Sequence, residues 1–292
     1  MDKIRLEPEC IACLVTKQIN NYPENASAKQ KLEYMRKLLR LAADAPETMS
    51  APQVMDKITR LQTEMFGAPA DYSAVKRHFN GVMLKRADQL KKVISSSDDP
   101  LRSAVQLAMT GNYIDFAAMV NVNEKKLDEL LGSAHGIEIP ENELDMLRSS
   151  LGAAKRLVYL TDNCGEIVLD KLLISVIKEI YPGIDITAVV RGYPVINDAT
   201  MEDAEDTGLC DVVRVIDNGS GVAGTCLDSI SEQAREEIDS ADVIIAKGQG
   251  NFETLRGCGL NIFYVFMCKC SMFAKRFNAP VLTGILVNDS EV

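Results

Sequence analysis

The sequence predicts an α/β protein: an open Rossmann-like sheet flanked by helices, with an N-terminal all-α helical subdomain. Two observations carry this. Before Arg156 the apolar residues recur at helical spacing, and after it short β-branched runs alternate with helical stretches. A third sets limits: 47% of the 292 residues are hydrophobic, so material for a core is ample, yet no segment reaches the roughly 18 unbroken apolar residues of a membrane span.

In the N-terminal part, Leu32, Met35, Leu39 and Ala42 form one helical stripe and Val54, Ile58, Leu61 and Met65 the next. The punctuation agrees. Pro46 and Pro52 stand near helix starts, Gly67-Ala68-Pro69 breaks the pattern, and Asp71 or Ser73 can cap the helix carrying Val75, Phe79 and Val82. The polar joint Ser95-Ser96-Ser97-Asp98-Asp99-Pro100 places a boundary at residue 97, giving a helical subdomain over 1–97 and a Rossmann-like domain over 98–292. Leu101 to Met109 and Leu127 to Leu131 make residues 98–155 a helical lead-in to it. Then come the apolar runs RLVYL, DITAVV, VVRVI, DVIIA, IFYVF and VLTGILV, separated by helical patterns at Val168 to Ile180, Asp198 to Thr207, Leu227 to Ile238 and Phe252 to Leu255. Parallel strands joined by crossover helices are the economical topology.

Composition removes several function classes. A net charge of −10 with no long Lys/Arg block argues against nucleic acid as a partner, while leaving room for a local basic pocket. The opening MDKIRLEPEC has no apolar signal core, so the expected location is the cytoplasm, away from membranes. Eight cysteines in that setting read as reduced thiols, metal ligands or redox groups rather than a disulfide framework. Only His78 and His135 are present, and no Gly-x-Ser-x-Gly accompanies them, so a serine hydrolase loses its support.

In an open parallel sheet ligands bind beyond the carboxyl ends of the strands. Asp162-Asn163 follow the first run, Arg191-Gly192 and Asn197-Asp198 the second, Asp217-Asn218-Gly219 the third, and Lys247-Gly248-Gln249-Gly250-Asn251 the fourth. Carboxylate and carboxamide oxygens suit a hard divalent cation, and Lys, Arg and loop N–H groups suit a phosphate. Each such residue taken singly also reads as a helix cap or an Asx turn. Cys164 offers a thiol at the same place, without a histidine partner.

Three further patterns need weighing. Gly248 and Gly250 permit close approach of a ligand to the backbone, but a Gly-x-Gly turn also serves simply to reverse the chain. Gly219-Ser220-Gly221-Val222-Ala223-Gly224 matches the dinucleotide fingerprint literally, yet the helical pattern starts only near Leu227 and the strand is the third, so it is read as a decoy. Cys10-x-x-Cys13 and Cys268-x-Cys270 can supply four thiolates to a structural zinc, form a redox pair, or be buried thiols.

As an ordered set the motifs resemble the damage-control phosphatases, long called the domain-of-unknown-function-89 family, in their stand-alone prokaryotic-type branch. The likeness spans nearly the whole chain. Its carriers are Cys10-x-x-Cys13, Gly111-Asn112-x-x-Asp115-Phe116, Asp162-Asn163-x-Gly165-Glu166, Arg191-Gly192-x-Pro194-Val195-Ile196-Asn197-Asp198, Asp217-Asn218-Gly219, Lys247-Gly248-Gln249-Gly250-Asn251-Phe252-Glu253 and Lys269-Cys270. The resemblance implies a metal-dependent phosphatase acting on small phosphorylated metabolites. It implies metal ligation by Asp162, Asn163 and Asp198, phosphate contact by Lys247, and a cleft lined by Asn112 and Asp115. Two departures bear on pocket shape: Cys164 fills the variable position, and Ala117 stands where a glycine is commoner.

The expected chemistry follows. Asp162, Asn163 and Asp198 hold Mn²⁺, Ni²⁺, Co²⁺ or Mg²⁺, which neutralises charge during in-line P–O cleavage. Lys247, helped by Arg191, clamps the phosphoryl oxygens, while Asn251, Asn218, Gly248 and Gly250 fix orientation. Water is preferred to Asp162 as nucleophile, because a carboxylate engaged by a metal attacks poorly. The rival readings are an S-adenosylmethionine-dependent carboxyl methyltransferase and a non-catalytic phosphometabolite-binding protein.

Overall fold

The computed structural model describes residues 5–19, 21–67, 71–115 and 123–292; Ala68, Pro69, Phe116 and Ala117 lie outside the described residues. The chain opens with α1 (Pro8–Gln18), α2 (Ala28–Ala43), α3 (Ala51–Phe66), α4 (Ser73–Ser95), α5 (Pro100–Gly111), α6 (Glu124–Gly132) and α7 (Glu141–Ala153). Then β1 (Arg156–Leu160), α8 (Glu166–Ile180), β2 (Asp185–Val190), α9 (Met201–Asp206), β3 (Arg214–Asp217), α10 (Glu232–Asp239), β4 (Val243–Lys247), α11 (Gly248–Leu255), β5 (Ile262–Met267), α12 (Ser271–Arg276) and β6 (Gly284–Asn288) alternate.

The helix starts have local causes. Ser27 accepts from the backbone N–H of Gln30 while the Gln30 side chain returns to the N–H of Ser27, a capping box. Pro52 lies in the first turn of α3, where its missing N–H costs nothing. Of the two candidates before α4, Asp71 does the capping, accepting from the N–H and hydroxyl of Ser73.

The sheet order is β3-β2-β1-β4-β5-β6, with β1 to β5 parallel and β6 antiparallel to β5. The final run was expected to continue the parallel pattern and does not. Between β5 and β6 the only helix is the six-residue α12, about 9 Å long by helix rise, too short to carry the chain back to the other end of a strand. Other boundaries shift for visible reasons. Residues Asp198 and Thr200 make β-bridges to Asn163 and Arg191, so α9 begins only at Met201. Ser231 caps α10 by accepting from Ala234 N–H, so that helix starts at Glu232 rather than near Leu227.

Strand side chains alternate between two cores. Leu157 and Tyr159 of β1 join α4, α5, α7 and α8 on one face, and Val158 and Leu160 join α10, α11 and α12 on the other. A third core, built on Leu14, Tyr34, Leu38, Val54 and Ile58, belongs to α1–α3. That layer meets the rest chiefly where α3 packs on α11 and where Arg5 donates to the carbonyl of Arg256.

Candidate functional site

The strand order reverses between β1 and β4, and the loops leaving those strands stand side by side. Thr161 still pairs with β2 through its N–H to Val189 O, at 3.0 Å, and then Asp162 and Asn163 leave the sheet. The loop after β2 folds back on them. Ala199 N–H donates to Asp162 O and Cys164 N–H to Asn197 O, each at 2.8 Å. This backbone stitching brings Asp198 beside Asp162 and Asn163 from far along the chain. The loop stores some strain there: Ile196, inside a turn closed by Asp198 N–H to Val195 O, has φ 45°, a region unfavourable to β-branched residues.

Gly165 then turns the chain into α8 with φ 70°, and a Cβ on it would lie 2.9 Å from Ile114 Cδ1. Gly248 is more constrained still: a Cβ there would sit 1.9 Å from Asp162 Oδ2. The glycine loop after β4 thus exists to let the Asp162 carboxylate lie flat against backbone. The literal dinucleotide fingerprint has the same kind of explanation, because a Cβ on Gly224 would lie 2.6 Å from Gly250 O, and no helix begins within the glycine run. The decoy reading agrees with that geometry.

The electrostatics are severe. Asp162 Oδ2 accepts from Asn112 Nδ2 at 3.0 Å and Asn163 Nδ2 at 2.7 Å, while its Oδ1 lies 3.5 Å from Arg191. Arg191 is buried between the two acids and donates to Asp198 Oδ2 at 2.7 Å. Burial pushes Asp162 well above the usual carboxylate range; the charges of Asp198 and Glu166 add to this, and Lys269 and Arg191 oppose it. Burial likewise pushes Asp198 up to about 6, against the pull of Arg191.

Among the described residues, the carboxylates of Asp162, Asp198, Glu166, Asp170 and Asp115 form ion pairs here with Arg191, Lys247 and Lys269. Five carboxylates thus face three cations, and burial, more than this imbalance, pushes Asp162, Asp198 and Asp170 upward. A divalent cation fits that balance and the oxygen chemistry of Asp162, Asn163 and Asp198. Among the described residues no three His, Cys, Asp or Glu side chains are grouped to hold a metal; the set proposed here has an amide as its third member.

The remaining sequence candidates divide. Asn251 joins the cluster: its Oδ1 accepts from Thr225 at 2.8 Å and its Nδ2 donates to Lys247 O at 2.7 Å. Asn218 Oδ1 accepts from the N–H groups of Gly192 and Ser220, leaving a buried Nδ2 with no partner among the described residues. Asp115 pairs with Lys269 at 2.6 Å. Lys247, in contrast, is fully buried and turned inward, with Nζ 2.8 Å from Ala108 O, 2.6 Å from Glu166 and 3.1 Å from Asp170. In the cysteine pairs, burial, with the charges of Glu253, Cys270 and Cys13 adding to it, pushes the Cys10 thiol up to about 12. They are not gathered into a four-thiolate cage.

Sequence reasoning missed Lys76 and Asn80. Lys76 pairs with Asp203 at 2.6 Å, and Asn80 accepts from Gly165 N–H at 2.6 Å while donating to Asp203, so α4 props the turn that presents Asp162 and Asn163. The signal was there: Lys76 and Asn80 share the buried stripe with Phe79 and Met83. Lys269 was read only as a motif member; Glu166 was read as that and as the start of a helix, where α8 does begin.

A mostly parallel, Rossmann-like sheet thus carries a carboxylate–amide cluster at its switch point, the place where open α/β folds bind their ligands. The chain belongs to the damage-control phosphatase ARMT1-like family, whose domain model matches residues 6–282. It is similar to a damage-control phosphatase of Archaeoglobus fulgidus, 34% identical over 233 residues that cover 77% of this chain and 78% of that one. A damage-control phosphatase of Pyrococcus horikoshii is 30% identical over 95% of this chain and 96% of its own length. An uncharacterised protein of Methanocaldococcus jannaschii is 28% identical over 98% and 96%. The crystal structure of a DUF89 family protein from Pyrococcus horikoshii superposes with a TM-score of 0.81 at 27% identity, covering 97% of this chain and 99% of that one. The family resemblance and the fold class read from the sequence both hold.

Proposed function

We propose that this protein is a metal-dependent phosphatase that hydrolyses small phosphorylated metabolites, with its site at the ends of β1, β2 and β4. The observation that carries the reading is the convergence of Asp162, Asn163 and Asp198 into one buried, charge-deficient cluster. Membership in a family of damage-control phosphatases supports the same reaction. Those three residues would hold Mn²⁺, Co²⁺, Ni²⁺ or Mg²⁺, whose positive charge would offset the negative charge that builds on a phosphoryl group as its ester bond breaks.

The chain's own groups do the rest. Arg191 lies between Asp162 and Asp198 and favours their ionised forms against the burial that opposes them. Water rather than Asp162 attacks phosphorus, because a carboxylate that would ligate the metal is a poor nucleophile. Lys269, held by Asp115, and the unpartnered Nδ2 of Asn218 are the donors we assign to phosphoryl or substrate oxygens. None of the eight cysteines is in a disulfide, and we place the protein in the cytoplasm. Among the described residues no helix is long and apolar enough to cross a membrane.

The test is a panel of sugar phosphates, nucleotides and p-nitrophenyl phosphate, each with the four metals. Turnover that EDTA abolishes is expected. Binding of S-adenosylmethionine by calorimetry, or ligand binding without turnover under every metal, would overturn the proposal.

A further inference from the structure

Lys247 and Glu166 form a fully buried ion pair, and the geometry of their neighbours assigns them a task apart from touching substrate. Four donors converge on the Glu166 carboxylate: Lys247 Nζ at 2.6 Å, Asn112 Nδ2 at 3.0 Å, Asn163 Nδ2 at 2.9 Å and Asn163 N–H at 3.3 Å. The Asn163 Nδ2 also meets Asp162 Oδ2, and so does that of Asn112. An ionised carboxylate only accepts, so with Asp162 and Glu166 both ionised, as a bound cation would require of Asp162, an amide wedged between them must present its NH₂ to both. The planar amide of Asn163 therefore has one end committed, and its Oδ1 is the end left to face a cation. Asn112 is fixed in the same sense, with its Oδ1 accepting from Met267 N–H at 3.0 Å.

We propose that Glu166, held by Lys247, is the positioning residue that fixes the amide orientation of Asn163 and so makes Asn163 Oδ1 a ligand; Lys247 acts through Glu166 and not on the substrate phosphate. The ammonium has three protons and three acceptors, Ala108 O, Glu166 and Asp170, at zero exposure, so none is left for a phosphoryl oxygen. The local fold enforces this. Gly165 at positive φ makes Glu166 the first residue of α8, which places its side chain back over Asn163, as a capping-box acid reaches back. Glu166→Gln would introduce an NH₂ group among four donors, and the amides would be free to turn over.

This inference rests on metal binding by Asp162, Asn163 and Asp198, and the experiment separates the two. Mn²⁺ affinity is measured by calorimetry on the full chain without substrate, for wild type, Glu166→Gln, Lys247→Gln and the double variant, with circular dichroism to check folding. Partners of metal ligands typically contribute 10- to 100-fold in affinity, so Glu166→Gln should weaken Mn²⁺ binding by about that factor. Lys247→Gln should weaken it less, and the double variant should match Glu166→Gln rather than add to it. Asn163→Asp in the Glu166→Gln background should restore affinity, because a carboxylate offers an oxygen whichever way it turns. A merely structural Glu166 would not be rescued that way. Wild-type Mn²⁺ binding with an unchanged Glu166→Gln affinity overturns the inference and leaves the phosphatase reading standing; a wild type that binds no divalent cation removes both. Should Glu166→Gln fail to fold, Lys247→Gln carries the test: unchanged Mn²⁺ affinity with reduced turnover would return Lys247 to the substrate.

Discussion

In the α1–α3 layer Tyr34, Leu38, Val54 and Ile58 are buried among apolar neighbours, whereas at the strand ends Asp162, Asp198, Arg191, Glu166 and Lys247 are buried among one another. The first arrangement gains free energy from every side chain it hides. The second loses hydration that its ion pairs only partly return, so it is held in place by the fold rather than holding the fold together. Substitutions in the two regions should therefore separate activity from stability.

The largest effect expected is from Asp162→Ala: a loss of turnover of about 10³-fold, on the scale of removing a group that stabilises transition-state charge. Thermal unfolding should shift little, since a repelling carboxylate leaves the cluster; full retained activity would defeat the site assignment. Leu38→Ala should do the reverse, costing about 2–5 kcal/mol of stability for a fully buried leucine, with turnover at 25 °C unchanged. If its denaturant midpoint stays put, the third core is not a stabilising unit. Gly248→Ala forces a Cβ onto the Asp162 carboxylate and should lower turnover about 10²-fold by displacing it, with secondary structure intact by circular dichroism.

A smaller effect concerns pH. Burial pushes Asp170 up to about 7, against the opposing charge of Lys247. The folded chain then binds a proton that the unfolded chain releases near the ordinary carboxylate range, so this contribution is complete below about pH 4 and is lost as pH rises through about 7. Denaturant midpoints at pH 5 and pH 8 should fall in the wild type, with a shallower fall in Asp170→Asn; equal slopes would contradict it. The smallest effect is at the surface: Ser27→Ala removes the α2 capping box and should cost about 1 kcal/mol without touching activity.

Much of this site was legible before any coordinates. Acids and amides recur at the strand ends, and the family resemblance picked Asp162, Asn163 and Asp198 out of them; Gly248 permitted close approach but read equally well as a simple turn. Lys247 was legible as a charged residue at a strand end but not in its direction, since a lysine beside a glycine loop looks the same whether it faces a phosphate or a buried acid. Its contacts with Glu166 and Asp170 depend on where α8 places those two acids. Lys76 and Asn80 were hidden in a helical stripe that periodicity assigns to core.

Periodicity alone determined the α/β class, the order of strands and helices, and the placement of polar residues at strand ends, because each depends on neighbours within a few positions of the chain. Only the tertiary structure decided that β6 runs antiparallel, that Asp198 is stitched to Asn163, and that Lys247 reaches Glu166. Each of these is a contact between residues distant in sequence. In a dry interior such contacts are set by which donors remain for which acceptors, and that accounting closes only when every loop is in place.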